Sequence, residues 1–209
     1  MQETPTQIAN PGRRTQRERS EASANRLLDA AIALIADQGF AATTQADIGT
    51  RAGYSRAMVR ERFGSAEALL DALFDRLVEQ WHVEVAPQLE GFSGPVVLAM
   101  GLEAFRDRLR DRPVEARALF VLQFEAAGPI PILRDRVAAV NRALMNRIEV
   151  VLREGQESGT VRADVDPEMA AVDWVATLRG AAFLWLTDPK FDFDAFCSRW
   201  VGKQAALYG

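Results

Sequence analysis

Arginine recurs at positions 51, 56, 60 and 62, inside the stretch TQADIGTRAGYSRAMVRERF that spans residues 44–63. A guanidinium presents a planar fork of N–H donors. It grips a phosphate or the edge of a guanine through two parallel hydrogen bonds. Thr44, Tyr54 and Ser55 lie where short helices begin or turn, and free backbone N–H groups at helix starts also suit phosphate oxygens. The stretch reads as a short helix, a turn at Ala52-Gly53-Tyr54-Ser55 and a second short helix rich in arginine. Two helices joined so tightly hold the second at a steep angle, the arrangement that offers a helix to the DNA major groove.

Catalytic chemistry has little to work with. His82 is the one histidine and Cys197 the one cysteine. This excludes most nucleophile–base pairs and metal sites of known spacing. There is no Gly-rich phosphate loop, no H-E-x-x-H, and no implied metal or cofactor. The paired Asp164 and Asp166 flank a turn and read as helix caps. The lone cysteine rules out an internal disulfide framework and fits a reducing cytoplasm. No window approaches the roughly 18 uninterrupted apolar residues of a membrane span. The N-terminus lacks the apolar run of a secretory signal.

The 209 residues are 48% hydrophobic and carry a net charge of −4. Charge is segregated. Residues 1–70 hold nine Arg against eight Asp or Glu, whereas the remainder holds 16 basic and 21 acidic residues. A slightly basic head on an acidic body suits a nucleic-acid module joined to a larger domain. Residues 1–19, with Arg13, Arg14, Arg17 and Arg19, are expected to be a disordered basic arm that follows DNA backbone or enters a minor groove.

Apolar periodicity near 3.6 runs through the rest, with no convincing strand pattern. The expectation is an all-α protein of about nine helices. Leu28, Ile32 and Ile35 stripe the first, which starts near Ser20 and stops at Gly39. Thr44 and Asp47 form a capping box for the second, Ser55 caps the third, and Ser65 opens a long fourth helix reaching about Val85. Pro87 to Pro95 then reads as a loop. Asp166-Pro167 opens a later helix, because proline at the first helical position forgoes no hydrogen bond. The domain boundary is drawn in the fourth helix, with residues 20–70 as head and 71–209 as body.

The head closely resembles the DNA-binding domain of TetR-type, tetracycline-repressor-like, transcriptional regulators. The matching pieces are LLDAAIALIADQGFAATTQADI, AGYS and RFGSAEALL; GQESGTVRADVDPEMAA and RGAAFLWLTDP resemble the family's C-terminal domain. Three departures stand out. Arg60 and Arg62 replace aromatics leading to Phe63, Ala66 replaces a phosphate-contacting lysine, and Gly49 stands where alanine is common. Arg56 and Arg60 are assigned to base edges or adjacent phosphates. Arg51 and Arg62 are assigned to phosphate, with Thr44, Tyr54 and Ser55 beside it.

The resemblance implies a cavity among the fourth to eighth helices that takes a largely apolar or aromatic small-molecule effector. Candidate lining residues are Trp81, Phe105, Phe120, Phe124 and Trp174, with His82, Gln123 and Asn141 as polar contacts. The last two helices are the expected homodimer surface. There Gly180, Ala181 and Ala182 allow close approach, and Trp185, Phe193, Phe196 and Trp200 offer area for burial. The implied function is a ligand-responsive regulator, most readily a repressor, bound to a near-palindromic double-stranded DNA operator. The alternative is a dimeric small-molecule-binding protein of the same fold with weakened DNA affinity.

Overall fold

In the computed structural model, residues 16–208 are described, except for the side chains of Gln80 and Trp81. The described residues form nine helices and no strand. These are α1 (Gln16–Gln38), α2 (Gln45–Ala52), α3 (Arg56–Phe63) and α4, followed by α5 (Pro95–Asp111), α6 (Pro113–Glu125), α7 (Pro131–Glu157), α8 (Pro167–Thr187) and α9 (Phe193–Tyr208). The rod α4 is continuous in three pieces: Ala66–Phe74, a π-helical stretch Asp75–Glu79, and Gln80–Leu89.

Capping follows the side chains the sequence supplies. Thr44 and Asp47 make the reciprocal capping box of α2. Ser55 and Ser65 accept the N–H groups of Met58 and Ala68 at the starts of α3 and α4. Asp166 accepts from Glu168 and Met169 ahead of Pro167. Two boundaries differ from expectation. The chain is already helical at Gln16, where the i,i+4 pair Arg17–Glu21 at 2.8 Å supports the first turns. At the other end of the head, α4 runs through Pro87 to Leu89. The carbonyl that Pro87 leaves unbonded belongs to Val83, which is exposed, so water can satisfy it.

Two apolar cores share one helix. The first gathers α1 to α4 with Leu119 and Leu122 of α6 and Leu133 and Val137 of α7. The second joins α5, α7, α8 and α9 around Phe120 of α6. Phe120 is fully buried and meets Phe105 and Trp185 edge-on, at 5.7 and 6.1 Å between centroids. Thus α6 is apolar on both sides because it is buried on both sides. The head core does not close at residue 70; it continues along α4 to Leu77 and Val78.

Of the described helices, α8 alone is long and apolar enough to cross a membrane. Its best 18-residue window has a mean hydropathy of 1.3, and 39% of that window is buried. Asp173 and Arg179 interrupt the apolar run, which is why no unbroken stretch marks it in the sequence.

Candidate functional site

The short helix α3 is seated by Val59, which is fully buried. Arg56 and Arg60 lie one turn apart on the same flank. Both are exposed, and neither makes a hydrogen bond or ion pair among the described residues. Arg62 points to the other flank, where it donates to the Ser20 hydroxyl of α1 at 2.7 Å. Arg51 sits 3.5 Å from the Asp37 carboxylate. An exposed pair of this kind contributes about 0–1 kcal/mol, so a phosphate can take the place of Asp37. The four arginines therefore divide into two uncommitted forks and two tethered within the head.

The neighbouring groups serve the backbone. The Thr44 hydroxyl donates to Asp47 at 2.6 Å and accepts the Asp47 N–H at 3.2 Å. The Thr44 hydroxyl, and then the Thr44 backbone N–H at 3.1 Å, hold the Asp47 carboxyl below the usual carboxylate range by donating to it. Ser55 accepts from Met58 at 3.2 Å, and half-buried Tyr54 packs against the head core. Gly49 has a specific reason. A Cβ there would sit 3.0 Å from the backbone of Tyr54 and Ser55, so glycine lets α2 press against the turn into α3. Ala66 opens α4 with no side-chain donor for phosphate. Arg17 and Arg19 lie on α1, whereas Arg13 and Arg14 fall outside the described residues.

The body grips the head through α6. The Glu125 carboxylate accepts the backbone N–H groups of Phe40 at 2.9 Å and Ala41 at 3.2 Å. Arg117, two turns earlier, donates to the carbonyl of Ala36 at 2.8 Å. Gly39 adopts φ +86, and a Cβ there would collide with the Glu125 carboxylate. This glycine thus ends α1 and also makes room for the clamp.

Behind the clamp lies a cavity of about 470 Å³. Its walls include Val85 and Leu89 of α4, Leu98 and Phe105 of α5, Val151 of α7 and Trp174 of α8. The π-helical stretch contributes Leu77 and Val78, which belong to the head core as well. Buried Arg108 approaches the Leu77 carbonyl at 3.4 Å and pairs with Glu115 at 3.1 Å. His82 takes a 2.7 Å hydrogen bond from Arg147. Burial, then the charges of Arg147 and Arg108, pull its pKa down to about 4, so the ring is neutral near pH 7. Arg179 donates to Asn141 at 3.0 Å, and burial lowers its pKa to about 10. The residue keeps some exposed surface, but its guanidinium lies in a desolvated setting. The Gln123 side-chain oxygen is buried with no hydrogen-bond partner.

Several expected lining residues reach this cavity: Phe105, Gln123 and Trp174 do, as does His82. Asn141 stands one step back, orienting Arg179. Phe120 is core, and Phe124 turns away to meet Phe183 at 5.4 Å. The Trp81 side chain lies outside the described residues. Arg108, Arg147 and Arg179 were not anticipated. Arg179 had a legible signal, as the sole basic residue within the apolar run of α8.

The expected dimer residues also separate. Ala181 and Trp200 are buried inside the subunit, at 3% and 5% exposure, and Trp200 stacks on Trp174. Trp185 and Phe196 are half-buried among other aromatics. Met169, Val172, Phe183 and Leu184 form the exposed apolar stripe of α8 instead. The small residues Gly180-Ala181-Ala182 do not mark one face, because successive helical positions turn by about 100°.

His82 yields a pH prediction. Its pKa falls from 6.5 to about 4 on folding, so between those values the unfolded chain binds the extra proton. Stability from this source is present above pH 6.5 and is lost as pH falls toward 4. Thermal unfolding of His82→Gln across pH 7 to 4.5 should show a shallower decline than the parent. Parallel curves would refute the half-buried neutral histidine.

Comparison with known proteins agrees with this geometry. A family model for bacterial regulatory proteins of the tetR family matches residues 27–73. A tetracyclin repressor-like C-terminal domain model matches residues 98–188. The chain is 22% identical over 171 residues to the fatty acid metabolism regulator protein of Bacillus subtilis, covering 81% of this chain and 87% of that one. The crystal structure of B. subtilis FadR with stearoyl-CoA superposes with a TM-score of 0.76 at 20% identity, over 88% of this chain and 98% of that one. SmeT with triclosan gives a TM-score of 0.78 at 26% identity, over 90% and 91%; SmeT is the repressor of the Stenotrophomonas maltophilia efflux pump SmeDEF. With a helix-turn-helix head and a helical body each matched in its own place, the chain belongs to the TetR family of transcriptional regulators and is not an enzyme.

Proposed function

We propose that the chain is a cytoplasmic, effector-released repressor that binds a near-palindromic operator as a two-fold dimer. One observation carries the reading. Gln123 faces the cavity and Glu125, two residues later on α6, holds the head's backbone. An effector that moves α6 therefore moves Phe40 and Ala41, and with them the seat of α2 and α3. Relatives solved with stearoyl-CoA and with triclosan support a ligand in the body, and the repressor SmeT supports repression. The effector must favour the released arrangement, because equal affinity for both shifts nothing.

The dimer reading rests on α8. An apolar helix whose best 18-residue window is only 39% buried within its own subunit leaves Met169, Val172, Phe183 and Leu184 in water. Such a stripe is covered most economically by its own two-fold copy. Two observations favour the weakened-DNA alternative: Ala66 offers no phosphate contact and Arg62 is engaged with Ser20. A salt-dependent gel shift on the protein's own promoter separates the two, since specific binding with a steep negative salt slope belongs to the repressor.

Arg56→Ala and Arg60→Ala should each weaken promoter binding by about 1–3 kcal/mol and leave the helical content unchanged. Parent-like affinity in both variants would remove the assigned base contacts. Leu184→Arg should convert a dimer to a monomer in light scattering at micromolar concentration; an unchanged mass would place the subunit contact elsewhere. For Glu125→Gln, the expected result is retained DNA binding with a blunted release by effector, the coupling falling by about 1 kcal/mol or more. A parent-like release curve would exclude the clamp from transmission.

A further inference from the structure

The cavity's charge is one-sided. Its described lining includes Arg108, Arg147 and Arg179 and no aspartate or glutamate. Glu115 neutralises Arg108 from outside the lining. Arg147 finds only the neutral ring of His82, and Arg179 only the amide oxygen of Asn141. Neither has a carboxylate partner among the described residues. The Arg179 guanidinium is withdrawn from water, and without a counter-charge that is costly unless something negative joins it; Arg147 is exposed and adds positive charge to the lining. The Gln123 oxygen, buried and unpartnered, is an acceptor and calls for a hydroxyl or N–H rather than for negative charge. The remaining wall is aliphatic and aromatic, and the volume suits one small organic molecule.

We propose that the effector is an amphipathic monoanion: an extended apolar body ending in a carboxylate, which Arg179 and Arg147 bind. The inference rests on the effector-released reading and narrows its ligand from apolar or aromatic to anionic. The fork of Arg179 is held by Asn141, so it is oriented for two parallel hydrogen bonds to a carboxylate before any ligand arrives. His82 leaves the positive field intact and uses its neutral ring to position Arg147.

The test uses the full chain without DNA and reads binding alone. Its outcome is thereby independent of whether the protein represses. Dodecanoate and dodecanol, which share a chain and differ in charge, are titrated below their aggregation concentrations while tryptophan fluorescence and thermal midpoint are followed. Dodecanoate should bind saturably, once per subunit, and about ten-fold or more tighter than dodecanol. Arg179→Met should abolish that preference while keeping the weak dodecanol affinity, and Arg179→Lys should restore part of it. Arg147→Gln, at an exposed position, provides a second variant that does not depend on how the core tolerates change, and it should lower dodecanoate affinity selectively. Equal binding of both probes, no saturable binding of either, or an unchanged preference in both the methionine and glutamine variants would overturn the proposal. Operator release by a neutral molecule, with dodecanoate inert, would overturn the anion and leave the repressor reading standing.

Discussion

Two backbone N–H groups, those of Phe40 and Ala41, have their hydrogen-bond partner in the body of the protein rather than in the head. The chain there leaves α1 and has not yet entered α2, so no helix supplies acceptors for them. The Glu125 carboxylate supplies both. Arg117 meets the opposite polarity at the same helix end, donating to the Ala36 carbonyl. A carboxylate for the donors and a guanidinium for the acceptor, both from α6, tie α1 to α6 through charge-assisted bonds. Apolar contact joins the same helices through Leu119 and Leu122. The head's orientation is consequently set by where α6 sits, and α6 sits against the cavity.

The cavity itself is built at the expense of the core. A space of about 470 Å³ among Leu, Val, Phe and Trp side chains forfeits dispersion contacts that a filled interior would keep. Its polar groups add desolvation cost, seen in the lowered pKa of Arg179 and in His82, held neutral first by its own burial. A ligand that fills the space and answers the charge stabilises the arrangement it binds in proportion to its differential affinity. An unliganded body that is imperfectly packed and imperfectly neutralised is therefore the condition for a sensitive one.

Much of this was legible from residue types and spacing. Thr44, Ser55, Ser65 and Asp166 cap the helices their sequence positions imply, and the short-helix pair with arginines at 56 and 60 is where the pattern puts it. Other features were not legible because they depend on partners distant in the chain. Nothing local distinguishes Arg62, tied to Ser20, from Arg60, tied to nothing. Gly39 reads as a helix stop, but its closeness to Glu125, 86 residues later, appears only in three dimensions. Gly49 reads as a weak helix residue until the backbone of Tyr54 and Ser55 is seen against it. The aromatic stripes show that residues are buried and not whether they face a void or a neighbour, so Phe120 and Trp174 look equivalent in sequence. Ala181 and Trp200 misled for the same reason: apolar periodicity marks a covered face, and the subunit itself covers theirs.

The remaining question is how a ligand of modest size could bias a head built around another core. Leu77, Val78 and Leu119 belong at once to the head core and to the cavity wall. Two of them lie in the π-helical stretch of α4, where the wider turn disturbs the regular i→i−4 ladder and Arg108 reaches the Leu77 carbonyl. The third lies on α6, four residues before Gln123. A close-packed interior does not deform smoothly; side chains exchange between discrete arrangements. A ligand that repacks these three from the cavity side repacks the head core from within, while one that displaces Gln123 pulls the Glu125 clamp on the same helix. Both routes end at the α1–α2 junction. The head can then respond as a unit to an effector that never touches it, provided that effector binds one packing of Leu77, Val78 and Leu119 more tightly than the other.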